Sequence, residues 1–262
     1  MIIVLLIFGL VFGSFLTAFV DRLHDGRDWI NGRSECDSCH KELKAQDLVP
    51  VFSWLINFGR CRQCHKHISW RYPLTELAVA GLFTACYLLW PVPIVGFEIV
   101  KFVWLLITIV GLTAISIYDL RWMIIPNTII YPLIVLAVGV VGYEAIFLDG
   151  GPELVRSAVL GLLGCGGILY GIFQVSKGKW IGGGDVKLGF LLGIMALSFM
   201  RGLLVILLSS FVGLVAIAPM LFAHKFSLKA KIPFGPFLII AGLIVYFFGQ
   251  QLLDWYMNVL VV

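Results

Sequence analysis

Two aspartates stand in an otherwise apolar setting. Asp119 closes a hydrophobic run in Ile117-Tyr118-Asp119-Leu120-Arg121, and Asp185 opens another after Gly182-Gly183-Gly184. Carboxylates in or beside membrane-crossing helices are costly and are functional candidates by default. A pair of them suits hydrolysis. One, ionised, takes a proton from water; the other, protonated, polarises the scissile carbonyl. Like charges at close range resist double ionisation, so such a pair shares one proton. The glycines before Asp185 allow close backbone approach of a substrate strand or a neighbouring helix. Two other readings fit the same residues. In one, Asp119 and Arg121 are interfacial charges and Asp185 is a helix N-cap. In the other, a transporter or channel uses both acids as an ion site. No P-loop or complete G-x-G-x-x-G fingerprint is present, so nucleotide-driven chemistry has no support.

A second candidate set lies between the first two apolar runs. Cys36-Asp37-Ser38-Cys39 and Cys61-Arg62-Gln63-Cys64 are separated by twenty-one residues. Each C-x-x-C puts two thiolates on one tight turn, and two such turns complete a tetrahedral four-cysteine zinc site. Four protein ligands leave no position for water, so a site of this kind is structural. A redox pair is the competing chemistry, and His40, His65 and His67 are alternative ligands. Disulfides are disfavoured by a cytoplasmic setting, which keeps thiols reduced. Cys86 and Cys165 sit inside apolar runs and read as small hydrophobic packers. Glu76, just after Arg71-Tyr72-Pro73, reads equally well as a helix-start dipole partner or as a functional acid. The outer acids Glu98, Glu144, Asp149, Glu153 and Asp254 are expected to be solvated, and Asp47 to be solvated or turn-forming.

The elements that must position these residues are membrane helices. Of 262 residues, 60% are hydrophobic and 13% charged, with twenty Phe and eight Trp. Mean hydropathy is +1.00. Soluble domains are nearer about half apolar and about a quarter charged. Disorder, collagen and a secreted disulfide scaffold are excluded. Crossing a bilayer takes about 20 residues. Eight runs are expected, near 1–20, 74–95, 99–118, 124–148, 154–173, 186–199, 202–222 and 236–256. The sixth is short, and a tight hairpin is expected between it and the seventh. The first lacks a basic n-region and a clear cleavage site, and is read as an uncleaved helix. The expected class is therefore an all-α polytopic membrane protein of about eight spans. It divides into a first helix at 1–20, a small cytoplasmic zinc domain at 21–73 and a transmembrane domain at 74–262.

Basic residues give the orientation. With residue 1 outside, the inside loops are 21–73, 119–123, 174–185 and 223–235. Together with Lys187 they hold sixteen of the nineteen Lys and Arg, leaving Lys101, Arg156 and Arg201 on the other side. The net charge of +4 thus reflects topology and anionic headgroups, and nucleic acid is not an expected partner. Residues 21–72 alone carry nine Lys/Arg, seven Asp/Glu and four of the five His. A segment this small has little core of its own and calls for a staple such as a metal.

Taken together the residues resemble the type IV prepilin peptidases, also called type 4 leader peptidases. The resemblance runs from Gly13-Ser14-Phe15-Leu16 through Arg22-Leu23, both cysteine knuckles, Gly59-Arg60-Cys61-Arg62 and Ile68-Ser69-Trp70-Arg71-Tyr72-Pro73. It continues with Glu76, Asp119, Ile125-Pro126-Asn127, Gly182-Gly183-Gly184-Asp185-Val186-Lys187 and Pro233-Phe234-Gly235-Pro236. The segment ending at Asp185 matches a G-x-G-D pattern shared in outline with presenilin-like proteases. The resemblance implies an eight-helix aspartyl protease of the bacterial inner membrane. Such enzymes cut the basic leader from prepilins or pseudopilins on the cytoplasmic side, after a glycine. It also implies N-methylation of the new terminus with S-adenosylmethionine. By motif, Asp119 and Asp185 become the catalytic pair, the four cysteines the zinc ligands, and Glu76 an acid of the methylation region. Thr17, His24 and the charged stretch Asp25 to Gly32 depart from the family pattern, and none of them touches the protease motifs.

Overall fold

The computed structural model describes residues 1–28, 32–36, 38–148, 150–222 and 232–260. Asp37, Asp149 and most of the expected inside loop at 223–235 lie outside the described residues. Ten α-helices, one short 3-10 turn and two isolated bridges account for most of the regular structure among the described residues. The helices are α1 (Ile2–Asp25), α2 (Phe52–Ile56), α3 (Arg71–Leu88), α4 (Phe97–Trp122), α5 (Asn127–Phe147), α6 (Gly151–Leu162), α7 (Ile168–Ser176), α8 (Gly183–Ala196), α9 (Phe199–Phe222) and α10 (Gly235–Leu260). A π turn at Leu163–Gly167 joins α6 to α7.

Local chemistry sets the helix ends. Pro73 falls in the first turn of α3, where its missing N–H costs nothing. That helix stops ahead of Pro91 and Pro93. Pro126 is extended and caps α5. Among the described residues, six helical stretches are long and apolar enough to cross a membrane: Ile2–Asp25, Phe97–Trp122, Asn127–Phe147, Gly151–Ser176, Phe199–Ala218 and Gly235–Val259. The chain is a multi-pass, all-helical membrane protein. The other two expected runs correspond to α3 and α8. The α3 helix has 18 residues and opens on polar side chains, among them Arg71 and Glu76. The α8 helix has only 14 residues. Beyond Asp185 and Lys187 in its first turns it is apolar all round, and none of its residues is exposed, as expected of a helix enclosed by others. Its neighbours are α5, α6, α7, α9, α10 and the π turn. Leu197, at φ +52°, turns the chain from α8 into α9, which is the expected hairpin.

Two compact units divide the chain. One comprises Met1–Glu98 and Leu105–Ala114; the other comprises Ile99–Trp104 and Ile115–Val262. In the first, α1 and α3 run antiparallel in close contact. A β-carbon at Gly9 would lie 2.4 Å from Ala80 Cα, and one at Gly13 would lie 2.5 Å from Glu76 Cα. Small residues are what permit such proximity. Phe12 and Phe83 meet beside them, with ring centroids 6.1 Å apart. In the second unit the same device recurs: a β-carbon at Gly193 would lie 2.6 Å from the Gly161 carbonyl.

Gly13→Leu is therefore expected to lower stability by about 3 kcal/mol, because the obstruction is backbone and cannot swing aside. Gly81→Ala in α3, where nothing lies within 4 Å of the added carbon, is the matched control. Thermal denaturation of the two variants in detergent checks this; equal midpoints would contradict the α1–α3 packing.

Candidate active site

The Asp119 carboxylate is buried near the end of α4. Its Oδ2 accepts the Gly235 backbone N–H at 3.0 Å. Gly235 is the first residue of α10, so the start of that helix directs a free amide at the acid. A β-carbon at position 235 would lie 2.7 Å from Asp119 Oδ2 and 3.6 Å from Ile125 Cδ1. Only glycine fits there without displacing the carboxylate.

Asp185 is half-buried in the first turn of α8. Its carboxylate reaches back to the N–H of Gly182, the extended residue that begins the helix. Asp185 is thus three residues inside the cap rather than the cap itself. The two carboxylates interact electrostatically. Ile125 is a shared neighbour, since a β-carbon at Gly184 would lie 3.0 Å from Ile125 Cβ. The structure therefore assembles both acids, two glycines and Ile125 in one place.

Lys187 turns toward α5. Its Nζ donates to Asn127 Oδ1 at 2.7 Å and lies 5.3 Å from the Tyr131 ring centroid. The bond fastens the start of α5 to the start of α8. Among the outer acids, Glu144 is paired: Lys101 Nζ lies 3.1 Å from its Oε1, and both side chains are about three-quarters buried.

In the other unit the four cysteines converge. The Sγ atoms of Cys36, Cys39, Cys61 and Cys64 all lie within 4.8 Å of one another. The Cys36 and Cys64 sulfurs are 3.8 Å apart. A tetrahedron with metal–sulfur bonds of about 2.3 Å has edges of about 3.8 Å, so the set fits zinc. The two knuckles repeat one backbone pattern. Cys36 N–H donates to the Lys41 carbonyl at 3.0 Å, and Cys61 N–H to the Lys66 carbonyl at 2.9 Å. His40 and His65 take the same left-handed position, at φ +53° and +56°. Among the described residues no histidine joins the sulfur cluster. Backbone N–H groups of Cys64 and Gln63 pull the Cys61 thiol down, while burial and the neighbouring sulfurs push the Cys64 thiol up, as expected of thiols crowded into one site. Cys86 and Cys165 are buried apart from this set.

Glu76 is buried in α3 and accepts the Val51 N–H at 2.7 Å. Val51 has φ +61° and ψ −50°, and the Phe52 N–H bonds the Pro50 carbonyl at 2.6 Å. This is a γ-turn of the rare positive-φ kind, strained for a β-branched residue. The Glu76 carboxylate holds it. Glu76 also borders a cavity of about 480 Å³ in this unit, lined in addition by Ser14, Asp21, Asp47, Trp54 and Tyr72. Asp47 is neither simply solvated nor only turn-forming. It caps the Lys44 N–H at 3.2 Å and pairs with Arg62 Nε at 3.3 Å.

Residues 7–90 match the bacterial peptidase A24 N-terminal domain, and residues 105–218 match the type IV leader peptidase family. A prepilin leader peptidase/N-methyltransferase of Stutzerimonas stutzeri is 32% identical over 97% of this chain and 92% of its own length. The chain belongs to the type IV leader peptidase family. Relatives of the same name in Bacillus subtilis and Xanthomonas campestris pv. campestris are 27% and 34% identical. They cover 98% and 83% of this chain, and 98% and 72% of their own lengths. No solved structure matches. The N-terminal family segment contains Glu76 and the cysteine cluster, and the peptidase segment contains both aspartates. Gly235 falls beyond both. Its contact with Asp119 was not anticipated, although the prolines flanking it mark a helix start with a free amide.

Proposed function

We propose that this protein is a membrane aspartyl endopeptidase that removes the basic leader of type IV prepilins or pseudopilins. Cleavage follows a glycine at the cytoplasmic face of the inner membrane, and the new N-terminal residue is then methylated. The observation that carries the reading is the pair Asp119 and Asp185, interacting within one unit and each held by a backbone amide. The family membership and the relatives' names support it. Ion transport by the same acids is not favoured by those names.

Asp119 and Asp185 share one proton. The ionised carboxylate takes a proton from water, whose oxygen attacks the scissile carbonyl carbon. The protonated carboxyl donates to the carbonyl oxygen. The tetrahedral intermediate collapses as the C–N bond breaks: the carboxyl that took the water proton gives it to the departing amine, and a hydroxyl of the intermediate returns its proton to the other carboxylate, restoring the dyad. The topology of the basic residues supports an N-terminus outside, with the dyad and the zinc loop on the cytoplasmic side. A leader rich in positive charge stays in water there while the substrate's apolar helix remains in the bilayer. By function the chain divides into a first helix at 1–20, a zinc-binding segment at 21–73 and a protease segment at 74–262, a division that differs from the two units formed by packing.

S-adenosylmethionine supplies an activated methyl group on a sulfonium. The cavity bordered by Asp21, Asp47, Glu76, Trp54 and Tyr72 is also lined by five arginines and Lys66, so its charge is mixed: carboxylates and rings for the sulfonium and amino groups of the donor, and basic side chains for its carboxylate. Its volume of about 480 Å³ is that of an ordinary small-molecule site. Glu76 is assigned to this methylation region. Zinc, held by Cys36, Cys39, Cys61 and Cys64, staples the loop and takes no part in the chemistry.

The test is mass analysis of a prepilin incubated with membranes containing the protein, with and without S-adenosylmethionine. The expected product has lost its leader in both cases and gains one methyl only with the donor. An intact substrate overturns the peptidase. A pre-cleaved substrate that never gains the methyl restricts the function to cleavage. Metal analysis is expected to find about one zinc per chain. Cys36→Ser with Cys39→Ser removes it, and so does acid, because protons compete for thiolates. Stoichiometric zinc in that double variant contradicts the four-cysteine set.

A further inference from the structure

The segment around α2 carries an apolar surface that the cysteine-rich loop does not cover. Phe52, Ile56 and Phe58 are 60%, 69% and 86% exposed, and Val49 and Leu55 are exposed beside them. Ser53, Trp54 and Asn57 instead line the cavity on the other side. The segment is thus two-faced, with its polar side inward.

Its depth follows from three contacts within the first unit. Gly13 of α1 abuts Glu76 of α3, with a β-carbon at Gly13 only 2.5 Å from Glu76 Cα. From Ile2 to Val20, α1 has no charged residue; Asp21 is the first. Gly13 is eight residues before Asp21, so Glu76 lies about 12 Å below that charge along the helix. Glu76 leans back toward the start of α3, as helical side chains do, and accepts the Val51 N–H at 2.7 Å. The chain entering α2 is thereby drawn to the level of α1's apolar run. Trp54 and Trp70, with ring centroids 4.1 Å apart, tie α2 to the start of α3. There Trp70, Leu74 and Leu77 form an exposed stripe at i, i+4 and i+7. The exposed apolar residues of α2 and those of this stripe thus belong to elements that the Trp54–Trp70 contact holds together.

We propose that residues 49–58 are an interfacial membrane anchor, with Phe52, Leu55, Ile56 and Phe58 inserted among lipid acyl chains of the bilayer that α1 crosses. The depth matches that of interfacial amphipathic elements, about 5–10 Å into the headgroup and acyl boundary. Trp70 stands where tryptophan favours the membrane–water interface. The cysteine-rich loop is then seated on the bilayer. The proposal is independent of the catalytic reading.

The experiment places p-benzoylphenylalanine singly at Phe52, Ile56 and Phe58 of the full chain, reconstituted in phosphatidylethanolamine–phosphatidylglycerol vesicles. Leu74 serves as the lipid-facing reference and Arg33 as the aqueous one. On illumination, all three positions are expected to form lipid adducts at yields comparable to Leu74 and about tenfold or more above Arg33. Adducts at Leu74 alone overturn the proposal, and so do cross-linked dimers in place of lipid adducts. Hydroxyl-radical footprinting of the unsubstituted protein in the same vesicles is free of folding defects. Protection of Phe52 and Phe58 is expected, and oxidation at the rate of a water-exposed phenylalanine overturns the anchor.

Discussion

Asp119→Asn and Asp185→Asn are each expected to abolish prepilin cleavage, with a loss on the order of a thousandfold or more. An amide cannot ionise to accept the proton of water, and it cannot share a proton with its neighbour. The shape is nearly unchanged, and the side-chain carbonyl introduced at position 119 can still accept the Gly235 N–H. Packing around both sites should therefore survive. The pair acts as a unit, so the double variant should be no worse than either single one. Single-turnover mass analysis of cleavage measures the effect. Methylation of a pre-cleaved substrate should be retained, because Glu76 and the cysteine cluster belong to the other compact unit. That retention separates loss of chemistry from loss of folding. Full cleavage by either variant sinks the dyad.

Gly235→Ala should be nearly as damaging although it removes no functional group. The added carbon would sit 2.7 Å from Asp119 Oδ2, well inside van der Waals contact. Either the carboxylate rotates away and loses the amide at 3.0 Å, or the start of α10 moves and takes the amide with it. A displaced catalytic group costs roughly a hundredfold in turnover. Substrate affinity should change little, so the loss appears in kcat and not in KM. Gly81→Ala, with open space around it, should cleave at the wild-type rate. Unchanged turnover in Gly235→Ala would show that Asp119 does not depend on this amide.

Much of the architecture was legible because its signals are local. The paired C-x-x-C turns are read from spacing alone, and the cluster forms as expected. The helix after Gly182-Gly183-Gly184 and the break at Pro126 follow from backbone rules. What escaped depends on residues far apart in sequence. Gly235 and Asp119 are 116 residues apart, and no period or composition links them. Glu76 offered two equal readings because its partner is Val51, twenty-five residues away in a turn that no β-branched residue favours. The short apolar run of α8 reads as a span from its composition, but its enclosure by other helices does not show in the sequence. Its burial depends on neighbours that contribute from several parts of the chain.

That enclosed helix also dictates the route to the chemistry. No residue of α8 is fully exposed, and beyond Lys187 only Phe190 is even partly so, so a substrate in the bilayer finds little flank of it to dock against. Asp185 stands at the open end of that helix, beside the exposed Gly182. A peptide arriving there must be extended at the bond to be cut, with its own helix ending short of the doorway.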